Sequence, residues 1–242
     1  MRQIKSCQIH DPNAYFETTE LELMQRVLPL ENAVIVELGC GRAWMTRRMA
    51  EDFPVQRVVA TEVDRVQHEK NLAIDGLQKV EFQYGGMQQI DLEDGEADIV
   101  IMLKSLHHVP LDLMDQGFAE ISRVLKPGGL AYISEPVYAG DFNEILRLFN
   151  DEKMVREEAF AAVKRALDSG AFELEDEIFF ESPGHYASWE EFEDRMLKVT
   201  HTRHEIDGDL YEKIKASFMQ HMTTDGAFFK KPSRVDLLRK AL

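Results

Sequence analysis

The string Glu37-Leu38-Gly39-Cys40-Gly41 sets two glycines two positions apart directly after the apolar run Ala33-Val34-Ile35-Val36. That spacing lets a backbone loop pass close to a ligand with no Cβ in the way. Glu62 ends a second apolar run, Val58-Val59-Ala60; its carboxylate offers two acceptor oxygens, enough for a pair of neighbouring hydroxyls. His107 and His108 follow a third run, 98–102. Imidazole accepts a proton near neutral pH unaided, so either is a candidate general base. Glu135 closes a fourth run, 130–134, and a carboxylate there can orient a substrate or take its proton. Structural alternatives stand beside these readings: one histidine packed on a sheet and the other an ordinary loop residue, Glu135 paired with Lys104, Asp64 as a helix cap rather than a ligand.

These residues share one position, the carboxyl end of a short apolar segment, where open α/β sheets bind ligands. The elements that must place them follow from pattern. Thr19 and Glu22 have capping-box spacing, and Leu21, Met24 and Leu28 recur at helical intervals, predicting a helix over 19–27 closed by Pro29. Segments 33–36, 58–60, 80–82, 98–102 and 130–134 read as buried strands. Between them, 43–51, 64–75 and the periodic series Leu111, Met114, Phe118, Ile121, Leu125 read as helices, the last stopped by Pro127-Gly128-Gly129. Strands alternating with helices predict a doubly wound, Rossmann-like parallel sheet, because parallel neighbours need crossovers and both faces need cover.

Beyond residue 140 the texture changes. Residues 141–168 are largely helical in pattern, and 172–180 alternates as a sixth strand. Ser188 with Glu191 caps a further helix, and Leu210, Ile214 and Phe218 lie on one face of a helix over 207–222. The segment 226–230 followed by a Ser233-capped terminal helix completes the expectation. The helices before this last segment would form a lid.

A dinucleotide fingerprint needs a third glycine at position 44, which is Trp44, so a nicotinamide cofactor is disfavoured. The remaining acid-x-Gly-x-Gly, with Glu62, the strand-plus-histidine segment 97–109 and Glu120-Ile121-Ser122-Arg123-Val124-Leu125-Lys126-Pro127-Gly128-Gly129, resembles class I S-adenosylmethionine-dependent methyltransferases from about 34 to 135. The resemblance implies a seven-stranded sheet, mostly parallel with the last strand antiparallel. It implies one domain over 1–242: an N-terminal helical segment 1–30, a cofactor-binding core 31–140, and a C-terminal half 141–242 with a helical cap between the last two strands.

The resemblance also assigns roles. Glu37 reaches the cofactor's ammonium, Gly39, Cys40 and Gly41 form the cradle, Glu62 and its neighbour Val63 take the ribose, Leu103 and Lys104 line the methionine end, and Tyr15 meets the carboxylate. The family acid that binds adenine is missing: Gly86 stands there, leaving the Met87 backbone N–H and apolar packing. The expected reaction is methyl transfer from S-adenosylmethionine to a small-molecule O, N or C acceptor by in-line displacement. A non-catalytic sensor or partner subunit is the alternative.

Composition narrows the partners. Lys and Arg number 28 against 44 Asp and Glu, a net charge of −16, which argues against a phosphate-backbone footprint and hence nucleic acid. Neither a signal peptide nor a membrane span is readable. Two cysteines, Cys7 and Cys40, cannot build a disulfide framework, so a reducing cytoplasm is expected. His185, His201, His204 and His221 lack ligand spacing, and no metal is expected. The reading leaves a homodimer open.

Overall fold

The computed structural model describes residues 7–198 and 205–242; His201 and His204 lie outside them. The strands are β1 (Phe16–Glu17), β2 (Val34–Leu38), β3 (Arg57–Glu62), β4 (Val80–Tyr84), β5 (Ala97–Leu103), β6 (Leu125–Pro136), β7 (Phe172–Tyr186), β8 (Met222–Thr223) and β9 (Gly226–Lys240). The helices are α1 (Glu20–Val27), α2 (Trp44–Asp52), α3 (Arg65–Leu72), α4 (Met114–Val124), α5 (Asp141–Leu146), α6 (Lys153–Asp168), α7 (Trp189–Phe192) and α8 (Gly208–Met219). A 3₁₀ turn lies at Leu106–His108 and a π-helical turn at Glu193–Leu197.

Strand order is β1-β7-β9-β6-β5-β2-β3-β4, with β8 paired to β9. Strands β2 to β6 run parallel, and β9 is antiparallel to both β6 and β7. The chain winds outward from β2 to β4, then returns to start the other half at β5 beside β2. Their carboxyl ends therefore face a topological switch point, the ligand-binding crevice of such sheets. The sheet has nine strands rather than seven, because two-residue strands are added at β1, parallel to β7, and at β8.

Period-2 alternation distributes the core. Val36, Leu38, Val100 and Met102 face a cluster with Phe118 and Ile121 of α4 and Val163 of α6. Ile35, Ile99 and Ile101 face the opposite cluster with Leu23 and Met24 of α1 and Met49 of α2. The first helix has the reciprocal capping box read from sequence: the Glu22 N–H donates to Thr19 Oγ1, and the Thr19 N–H donates to Glu22 Oε2. Of the N-terminal 30 residues, the described part is helical only over α1.

The chain's end corrects the sequence reading. Ser233 does not cap a helix: it lies buried inside the fifteen-residue strand β9, opposite Pro136 and Phe180. Charged residues in this stretch obscure a strand pattern. Arg234 and Asp236 neutralise each other inside the sheet, Nε to Oδ2 2.9 Å, while Val235 and Leu237 join one core cluster and Leu238 the other. The cap between β7 and β9 is built on a third cluster of Tyr186, Trp189, Phe192, Ile214, Phe218 and Phe229.

Candidate functional site

Every residue of β2 is buried, and Glu37 shares its face with Ile35, so its side chain turns toward α2. There Thr46 Oγ1 donates to Glu37 Oε2 at 2.5 Å. Burial, and secondarily the nearby Glu62 carboxylate, push the Glu37 pKa up to about 7 against that hydrogen bond. After Leu38 the backbone takes positive φ at Gly39 (+79°), Gly41 (+54°) and Ala43 (+56°). At Gly39 a Cβ would stand 2.9 Å from the Ser105 Cβ, so the loop packs directly on the loop after β5. At Gly41 a Cβ would meet nothing within 4 Å, leaving open space above the loop. Ala43 gives no side-chain cap to α2, so the helix's leading N–H groups stay available to a ligand.

Glu62 ties this loop to the next. Its Oε2 accepts the Gly41 N–H at 2.8 Å and its Oε1 the Asp64 N–H at 2.8 Å; each oxygen keeps a second lone pair for a hydroxyl donor. Val63 beside it is exposed. Asp64 caps α3, accepting from Val66 and Gln67. Asn71 of α3, which sequence reasoning missed, donates to the Gly41 carbonyl at 2.8 Å and to Cys40 Sγ at 3.4 Å. Burial raises the Cys40 thiol pKa.

On the third loop, Met87 is buried in the core beneath Gly117 of α4, so only its backbone can face a ligand. A Cβ at Gly86 would meet Gln88 Oε1 at 2.6 Å and Val63 Cγ1 at 3.0 Å. The space an acidic side chain would enter is thus bordered by the Gln88 amide.

The fourth and fifth strand ends converge. Lys104 takes φ +55° with its N–H on the Ser134 carbonyl, and Ser105 Oγ donates to the Leu38 carbonyl. Glu135 Oε1 accepts the Leu106 N–H at 3.0 Å, and its Oε2 lies 2.5 Å from His107 Nδ1. The contact holds the ring by its Nδ1 side, so Nε2 is the nitrogen turned away from Glu135. That Nε2 lies 3.9 Å from Glu152 Oε2 of the segment before α6. His108 is exposed, its ring centroid 4.1 Å from that of His107. Lys104, His107, His108 and Glu152 border one cavity of about 360 Å³ roofed by the cap residues Tyr186, Arg195 and Met196.

His107, His108 and Glu152 also offer ligand atoms within 4.8 Å of one another, a constellation the helical-spacing argument did not reach. Glu152, however, is engaged by Arg156 at 2.6 Å and Asn150 at 2.8 Å, so a guanidinium already neutralises it. Tyr15 lies on the N-terminal segment. Its hydroxyl meets His10 Nδ1 at 2.9 Å and its ring packs edge-on against Phe179 of β7. It adjoins β1, which pairs with β7. Leu103 ends β5, with its side chain packed against the core cluster under α1 and α2.

This strand order, with a glycine loop after the first parallel strand and a carboxylate closing the second, is the class I S-adenosylmethionine-dependent methyltransferase fold. Residues 35–129 match the model of the methyltransferase domain family. Among curated relatives, the malonyl-[acyl-carrier protein] O-methyltransferase of Hahella chejuensis is 31% identical over 39% of this chain and 33% of its own length. The dimethylglycine N-methyltransferase of Parasynechococcus marenigrum is 28% identical over 45% of this chain and 39% of its own. The chain spans about a third of the length of the first curated relatives it matches. The YcgJ protein of Bacillus subtilis superposes with a TM-score of 0.66 at 17% identity, covering 92% of this chain and 98% of that one.

The family's cofactor is S-adenosylmethionine, and the residues fit it. Open space lies over Gly41, a two-oxygen acceptor stands at Glu62, and a buried carboxyl with no cationic side-chain partner among the described residues waits at Glu37. Among the described residues, no helix is long and apolar enough to cross a membrane.

Proposed function

We propose that the protein transfers the methyl group of S-adenosylmethionine to a small-molecule O, N or C acceptor held beneath the helical cap. The observation that carries this reading is the His107–Glu135 pair beside the capped cavity, Nδ1 to Oε2 2.5 Å; in the tautomer with the proton on Nδ1, Nε2 is the proton acceptor. When bound, the cofactor supplies an electrophilic methyl on a sulfonium centre. Glu62 takes the hydroxyl pair, Glu37 meets positive charge, and the Gly39-Cys40-Gly41 turn lets the backbone approach. Positioning by these groups is most of the catalysis. His107 receives the acceptor's proton at Nε2, with Glu135 holding the ring and compensating the imidazolium; His108 at the rim contacts the acceptor. Glu37, Glu62 and the Gly39-Cys40-Gly41 turn would hold the cofactor, which would supply the methyl group, and the acceptor's proton would end on His107.

The acidic net charge supports an acceptor that is not a nucleic acid. Two free thiols, Cys7 and Cys40, support a reducing cytoplasm as the working compartment. The test is transfer of a methyl-tritium label from S-adenosylmethionine to a small-molecule metabolite extract. Label should enter the extract, and His107→Ala should slow transfer by about 10²-fold or more while cofactor affinity holds. Cofactor binding with no label transferred to any fraction would contradict the enzyme reading and favour the second one, a cofactor-binding sensor or partner subunit. Gly86 in place of an adenine-binding acid supports that second reading.

A further inference from the structure

The cavity beneath the cap is charged against the grain of the molecule. In a chain of net charge −16, its described lining carries Lys104, Arg156, Arg195 and Lys231 against one carboxylate, Glu152. Arg156 is paired with Glu152 and Arg195 with Glu191. Lys231 of β9 is different. Its side chain crosses β7 at Gly184, where a Cβ would stand 2.4 Å from the Lys231 Cε. Its ammonium ends over the Phe142 ring, 4.0 Å from the centroid, with the Tyr186 hydroxyl at 3.2 Å. Among the described residues no carboxylate is paired with it. Burial first, then repulsion from Lys104 and Arg195, lower its pKa to about 8. An ammonium held out of water without an anion is costly unless something supplies one.

A second, independent group points the same way. Asn143 of α5 is buried and lines the same cavity. Its Oδ1 accepts from Arg156 Nη1 at 3.0 Å. A guanidinium only donates, so the amide cannot be flipped. Its Nδ2 is therefore the donor, and it is buried with no hydrogen-bond partner among the described residues. A buried donor left unmade loses the full desolvation cost. The cavity is thus bordered by an ammonium with no carboxylate partner among the described residues and by Asn143, whose buried amide donor is unmade; Phe142, Tyr186 and His107 share the lining.

Building on the proposed methyl transfer, we propose that the acceptor is an anion: a small, largely apolar molecule whose oxyanion, carboxylate or phosphate, is bound by Lys231 and Asn143 while its methyl-accepting group meets His107. The ammonium selects against neutral isosteres, because an uncharged occupant can accept its hydrogen bond but leaves the buried positive charge uncompensated. Arg195, on the π-helical turn of the cap, would add long-range attraction as the anion enters.

The test uses the full chain loaded with S-adenosylhomocysteine, titrated with phenylacetate, phenyl phosphate and the neutral phenylacetamide. At least one anion should bind about tenfold or more tighter than the amide, the scale of a hydrogen bond to a charged group; which anion does so separates carboxylate from phosphate. Lys231→Met and Asn143→Leu should each lose that preference, Lys231→Arg should keep most of it, and Lys79→Met, at the far edge of the sheet, should behave as wild type. Lys231→Met without ligand should melt no lower than wild type, because it removes an uncompensated buried charge. Equal binding of the amide, retention of anion binding by Lys231→Met, or no anion binding would overturn the proposal. Failure of S-adenosylhomocysteine to load is a separate result that strikes the methyl-transfer reading, and the anion titration is then run on the unloaded chain with the same outcomes.

Discussion

Glu37 is a carboxyl sealed inside the sheet with one hydroxyl donor, and its folded pKa of about 7 lies above its ordinary value of 4.5. The folded state therefore holds the proton through that window, so this group lowers the ligand-free protein's stability as pH rises from about 4.5 to about 7. A cationic ligand beside it reverses the preference. Binding of S-adenosylmethionine should release a proton at about pH 6, and affinity should rise toward about pH 8. Titration in buffers of different ionisation heats counts that proton; a pH-independent dissociation constant would sink the assignment. The candidate site was legible where chemistry sits at or just past a strand's end: Glu37, Glu62, His107 and Glu135 all meet that condition. Asn143 and Lys231 are 88 positions apart, Lys231 inside a strand and Asn143 on a short helix, and only topology brings them to one cavity. Nor did anything local show that the segment after Tyr15 would pair with β7.

The loop after β2 depends on conformations few residues adopt. Gly39→Ala would force a side chain into φ +79° and against Ser105, costing about 1–2 kcal/mol for the backbone alone, with the contact adding to it. Thermal denaturation should show the loss, and cofactor affinity should fall with it; wild-type behaviour in both would contradict the close packing of the two loops. Thr19→Ala removes half of the α1 capping box and should cost about 1 kcal/mol. Because Glu20 of that helix accepts from Tyr132 and Ser134 on β6, fraying there would also loosen the sheet near the site. Strand–loop–helix units were readable because hydrophobic period and caps are local signals. The long β7–β9 ribbon was not: buried Arg234 and Asp236 interrupt its apolar pattern, and their mutual neutralisation is visible only once strand partners are known.

At the scale of the molecule, net charge −16 makes the folded state self-repelling, so moderate salt should raise the melting temperature by screening; a fall on going from low to physiological ionic strength would contradict this. The cap rests on its own aromatic cluster, and Phe218→Ala at its centre should cost about 3–5 kcal/mol, read by chemical denaturation. Sheet order, glycine loop and carboxylates together make the cofactor site the claim on which the rest depends. Its most direct test is calorimetric titration of ligand-stripped protein with S-adenosylmethionine and S-adenosylhomocysteine, wild type beside Glu62→Ala. Micromolar binding of both, weakened by about 1–3 kcal/mol in the variant, is the expected result. A folded wild-type protein that binds neither, or a Glu62→Ala dissociation constant equal to wild type, would contradict it.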